Sequence, residues 1–96
     1  MNFTSKISTS SCIIYSAWLI NILFIGIKNI INSFEKGDVI NCMNEKNVCI
    51  AKGITNYGSD DIALLKGQSS ENIFSEYGDK YTKEVIHADN LIVIEI

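Results

Sequence analysis

Apolar residues are spread very unevenly along this chain. Between Lys6 and Lys28 lie 21 consecutive uncharged residues, and the densest stretch, Cys12 to Ile27, is apolar on every helical face. A helix packed on a protein core carries a polar stripe, whereas one that is apolar all round has the pattern of a helix in lipid. At a helical rise of about 1.5 Å per residue the run reaches about 32 Å, enough for a hydrocarbon core of about 30 Å. Its nine Ile, Leu and Phe residues favour insertion, and Asn21 subtracts from that gain. The pattern predicts a transmembrane helix over residues 12–36, preceded by a short tail, 1–11. Lys28 snorkels toward headgroups, and Gly37 stops the helix. Lys28, Asn29, Ile30 and Ile31 offer no small-x-small cleavage site, so the segment reads as an uncleaved signal anchor. Asn21, Ser16 and Gly26 are the candidates for helix association, Asn21 foremost, because an amide in hydrocarbon seeks a partner. The alternative is a helix buried in a soluble protein.

From Gly37 the pattern changes to short β-rich runs separated by Gly, Asn and Asp. Asp38 to Met43 and Val48 to Lys52 read as two strands around a four-residue turn, Asn44-Glu45-Lys46-Asn47. That turn aligns Cys42 with Cys49 across an antiparallel ladder, where opposing Cα atoms lie about 4.5 to 5.5 Å apart, a spacing that a disulfide accepts. Ile62-Ala63-Leu64-Leu65 reads as a strand ended by Gly67. Ser69 or Ser70 caps a short helix, Glu71 to Tyr77, with Gly78 as its stop. Lys83 to His87 and Leu91 to Ile96 read as a terminal hairpin. Its last strand is apolar on both faces and so expected at the centre of a sheet or under a partner. The fold class is therefore α+β: one N-terminal transmembrane helix, then a small antiparallel β-rich module with a short helix over 37–96.

Composition and charge narrow the function. With 96 residues the chain holds at most one domain, and a mean hydropathy of +0.16 is too apolar for disorder. Eight lysines, no arginine and eleven acids give a net charge of −3, which repels a phosphate backbone and argues against nucleic acid. Residues 37–96 hold ten acids against five lysines. Positive charge flanking the apolar run is nearly balanced, so orientation rests on the cysteines. A Cys42–Cys49 disulfide places the module on the oxidising side of the membrane. Two reduced core cysteines are the competing reading.

Little in the chain points to catalysis. Cys42, Cys49 and His87 offer three metal ligands at a spacing that matches no zinc ribbon or finger, and neither a C-x-x-C redox motif nor a Gly-rich phosphate loop is present. Asp60 and Asp61 lack the rest of a calcium loop. Ser69 and Ser70 lack a hydrolase setting. Tyr57-Gly58 and Tyr77-Gly78 recur at a spacing of twenty, too little for a repeat architecture. No cofactor, metal or catalytic residue is expected.

The leading expectation is a non-catalytic, single-pass protein of a bacterial cytoplasmic (inner) membrane. Its module, on the periplasmic or extracellular side, binds or regulates another envelope protein, with membrane lipid and a second copy as further partners. The alternative is a soluble intracellular α+β protein that homodimerises through its apolar N-terminal helix. A thiol- or metal-dependent enzyme using Cys42, Cys49 and His87 ranks third.

Overall fold

A computed structural model describes residues 11–17 and 19–94. Most of the tail 1–11 and Trp18 lie outside the described residues. The apolar N-terminal run is not one helix. It forms strand β1 (Cys12–Tyr15), a loop, a 3-10 turn (Phe24–Gly26) and strand β2 (Ile27–Ile31). No helix among the described residues is long and apolar enough to cross a membrane. The transmembrane helix expected over 12–36 is thereby corrected, and with it the signal anchor and the single-pass placement. Much of the run is enclosed by protein: Ile13, Tyr15, Ile22, Phe24 and Ile27 are all core residues, while Ile20, Leu23 and Ile25 are exposed. Continuous apolar runs also mark strands that are covered on both faces, and the density of β-branched Ile favours the strand. In this respect the alternative reading, a segment buried in polypeptide, fares better, although as strands and not as a helix.

The other strands are β3 (Val39–Met43), β4 (Cys49–Ile54) and β5 (Leu91–Val93); helices α1 (Ser59–Leu65) and α2 (Ser70–Tyr77) lie between β4 and β5. The sheet runs β2-β1-β3-β4-β5. β1 and β3 pair parallel and every other pair is antiparallel, so the sheet is mixed, not antiparallel as expected. Ile40, Cys42 and Ala51 are fully buried while Val39, Lys52 and Ile54 face out, the period-two alternation of a sheet with one covered face.

The β3–β4 hairpin forms, but its register differs. Cys42 lies opposite Ala51, and a bulge then sets Met43 opposite Cys49. Asn44 drives this turn: its Oδ1 accepts from the amides of Lys46 (2.8 Å) and Val48 (3.0 Å), and Asn47 takes φ 65°. The offset removes the cross-strand alignment on which the expected disulfide rested, and Cys12, Cys42 and Cys49 are all free thiols.

Residues 62–65 are helical, not a strand. Ile62 and Leu65 are fully buried and Leu64 is exposed, the i, i+3 spacing of a helix face. α2 forms where expected: the Ser69 hydroxyl accepts from the Asn72 amide at 3.1 Å, and Gly78 turns the chain at φ 66°. The terminal hairpin is replaced by two separate pairings. Ile86 bridges to Ile22, and β5 joins β4 at the edge of the sheet, not its centre. Gly53 permits this approach, since a Cβ there would run into the Asn90 carbonyl and a methyl of Ile86.

Candidate functional site

The backbone at Leu23–Ile25 alternates sharply: Phe24 enters the core while Leu23 and Ile25 stay 40% and 53% exposed. The Phe24 carbonyl accepts from the Gly67 amide at 2.7 Å, tying this turn to the loop between the two helices. Across from it, α2 buries Ile73 and leaves Phe74 60% exposed. Gly78 then reverses the chain into a short 3-10 turn, Gly78–Tyr81, and on to residues 82–84. These three segments enclose a groove of about 320 Å³. Phe24, Ile73 and Tyr81 form its apolar floor, Leu23, Ile25 and Phe74 its walls, and Gln68, Ser70, Thr82, Lys83 and Glu84 its polar rim.

An aromatic cluster holds the groove from beneath. Ring centroids of Phe24 and Tyr57 lie 5.2 Å apart, Tyr57 and Tyr81 5.7 Å, and Tyr77 and Tyr81 5.4 Å with an edge-on contact. The Tyr81 hydroxyl donates to the Asp61 carboxylate at 3.2 Å, and the Lys83 amide donates to the Tyr57 oxygen at 3.0 Å. Burial pushes the Tyr57 phenol up from its usual value; the Lys83 amide opposes this, and the Asp61 and Glu84 charges reinforce it. Tyr57 is thus a neutral phenol at pH 7, a fixed bracket under the rim. A second depression, beside Ser33, Glu35, Asp38 and Asp60, lacks such a floor, and its Ser59 hydroxyl is bonded to both backbone groups of Phe34.

The residues singled out from sequence lie elsewhere. The Ser16 amide donates to the Gly26 carbonyl at 2.8 Å, so this pair joins β1 to β2. Gly26 sits against the Tyr15 ring, where a Cβ would come within 2.6 Å of a ring carbon. Asn21 does find a partner for its amide, the Ala88 N–H at 2.8 Å, and so straps the C-terminal segment to the β1–β2 loop. Cys42 is buried, and its thiol is pushed up to about 12 by burial and by the neighbouring Cys49 and Cys12. The His87 Nδ1 accepts from the Asp89 amide at 3.0 Å. Among the described residues, no three of His, Cys, Asp and Glu gather as metal ligands. Sequence reasoning missed the groove. Its walls come from the run assigned to lipid and from Phe74 and Tyr81, and the one available signal was the recurring Tyr-Gly pair at 57–58 and 77–78, whose tyrosines meet in the aromatic cluster.

A small α+β domain with a mixed five-stranded sheet, and an aromatic-floored groove beside its second helix, defines the class of protein. Residues 19–76 match the PUA domain family, and the chain belongs to that family. It is 36% identical over 74 residues to the glutamate 5-kinase of Chromohalobacter salexigens, an alignment covering 77% of this chain and 20% of the kinase. Against the glutamate 5-kinase of Dictyoglomus thermophilum it is 35% identical over 74 residues, with the same shares covered. The chain thus spans about one fifth of the length of the curated relatives it matches. A PUA domain from Aeropyrum pernix K1, solved as a tartrate complex, superposes with a TM-score of 0.53 at 12% identity, over 90% of this chain and 42% of that one. That likeness confirms the fold.

Family membership overturns further expectations. PUA domains typically bind RNA, so net charge alone was no ground for excluding nucleic acid. Membrane lipid as a partner, the inner-membrane localisation and the envelope-tethering role all rested on the helix that the structure replaces with β1 and β2.

Proposed function

We propose that this chain is an RNA-binding module that seats unpaired nucleotides of single-stranded RNA in the groove between Leu23–Ile25 and α2. The observation carrying this reading is the pairing of an apolar, aromatic-floored slot with a hydrogen-bonding rim. Unstacked bases bind by stacking on aromatic faces and by polar contacts at their edges. Lys83 is the only cation among the residues that line the slot, so few phosphates are engaged and affinity rests on stacking more than on charge. The module binds and carries no catalytic step of its own.

Fluorescence polarisation with a short single-stranded oligoribonucleotide tests this reading. Phe74 is largely exposed, so Phe74→Ala leaves the core intact and removes one stacking surface; it is expected to weaken binding about tenfold. One or two phosphate contacts predict a shallow dependence of log K on log salt, with a slope between about −0.7 and −1.4. Undiminished binding by Phe74→Ala, or a steep salt slope, would contradict the proposal.

A second reading draws on the kinase relatives: the chain acts as the accessory segment of a glutamate 5-kinase-like protein. Copurification of the chain with such a kinase, or its presence within one polypeptide, checks that reading separately.

A further inference from the structure

Two oppositely charged neighbours, Lys83 and Glu84, line the same groove, and neither forms an ion pair with a described residue. Their backbone is nonetheless held firmly. The Lys83 amide donates to Tyr57 at 3.0 Å, the Glu84 carbonyl accepts from Asn56 Nδ2 at 2.9 Å, and the next residue, Val85, bonds to Ile22 and to Asn56. With the main chain of the rim anchored on both sides, only the two side chains are left to be ordered on binding.

A single nucleotide offers three kinds of surface: a flat apolar face, a polar base edge and one anionic phosphate. The groove offers a complement to each. Phe74 and Tyr81 supply aromatic surface, Lys83 supplies the cation, and Glu84 supplies a carboxylate that, when ionised, only accepts hydrogen bonds. An acceptor-only group matches an exocyclic amine and opposes a carbonyl oxygen. Cytosine and uracil differ at that position, an amine in the first and a carbonyl in the second.

We propose that Glu84 selects the base in the groove by accepting a hydrogen bond from its exocyclic amine while Lys83 takes the adjoining phosphate, so that cytidine is preferred over uridine. This inference rests on the RNA-binding reading above and deepens it. Cytosine and uracil have nearly the same size and stack comparably, so the comparison isolates the edge contact.

Affinities of the full chain for hexacytidylate and hexauridylate, for wild type, Glu84→Ala and Lys83→Ala, test it. Wild type is expected to bind the cytidine hexamer about tenfold more tightly, the scale of one hydrogen bond to a charged group. Glu84→Ala should bring the cytidine hexamer down to the uridine level without weakening uridine binding. Lys83→Ala should weaken both and leave their ratio intact. Circular dichroism confirms that each variant is folded; neither substitution removes a backbone bond. Equal wild-type affinity for the two hexamers, or a preference that survives Glu84→Ala, overturns the inference while the RNA reading stands. Failure of wild type to bind either hexamer overturns both.

Discussion

Gly26 shows how much one missing methyl group matters. The Tyr15 ring and the Ala17 methyl leave no room for a Cβ at Gly26, and the Ser16 amide reaches the Gly26 carbonyl, so the β1–β2 pairing depends on that close approach. Gly26→Ala forces the ring aside and is expected to destabilise the fold by about 2 kcal/mol, read as a lower urea midpoint. Cys42 makes a different kind of statement. Its thiol is held up to about 12 mainly by burial, while in the unfolded chain it ionises near the ordinary cysteine value of 9.0. Between these values the unfolded state binds fewer protons than the native one, so stability falls as pH rises. Urea midpoints measured from pH 8 to 11 should drop above pH 9, and Cys42→Ala should flatten the part of that slope owed to this thiol, up to about 1.4 kcal/mol per pH unit. Tyr15 and Tyr57, also raised by burial, add to the decline at still higher pH.

At the scale of the elements, α2 was legible because every signal in it agreed: a Ser cap, Ile73 and Phe74 near the middle, and a glycine at the end. The same cap is the weak point of the groove wall. Ser69→Ala should cost about 1 kcal/mol of stability, seen as a shifted urea midpoint at constant m value. The β3–β4 hairpin was legible in its strands but not in its register, because the Asn44 side chain shapes the loop and a bulge absorbs Ile50. Such a bulge leaves no mark on alternation alone, and it separated Cys42 from Cys49. The run Ile62–Leu65 was misread because four apolar residues fit either period. The largest misreading concerned Cys12 to Ile27. Uniform hydrophobicity over that length satisfies a lipid-spanning helix, yet it equally satisfies a buried strand, a core-entering turn and a second strand placed end to end. Asn21 and Gly26, read as features of a membrane helix, were the punctuation between those pieces. Asn21 holds the amide of Ala88, the first residue of the 3-10 turn Ala88–Asn90.

Viewed as a whole, the molecule is acidic and carries its candidate binding surface where acidity matters least. A net charge of −3 is a poor basis for tracking a duplex backbone, but it does not disable a slot that works by stacking and edge contacts. The slot also joins distant parts of the chain: Leu23–Ile25 meets the continuous segment of α2 and residues 78–84 through the Ile22–Ile86 bridge, the Gly67–Phe24 hydrogen bond and the Phe24–Tyr81 ring contact. This is why no local motif betrayed it. The most direct test is an amide NMR titration of the isotopically labelled chain with a short single-stranded oligoribonucleotide. Shift changes concentrated at Leu23–Ile25, Phe74 and Tyr81–Glu84 are the expected result. Changes confined to the β5 edge or the outer sheet face, or none at saturating RNA, would contradict an RNA-binding groove.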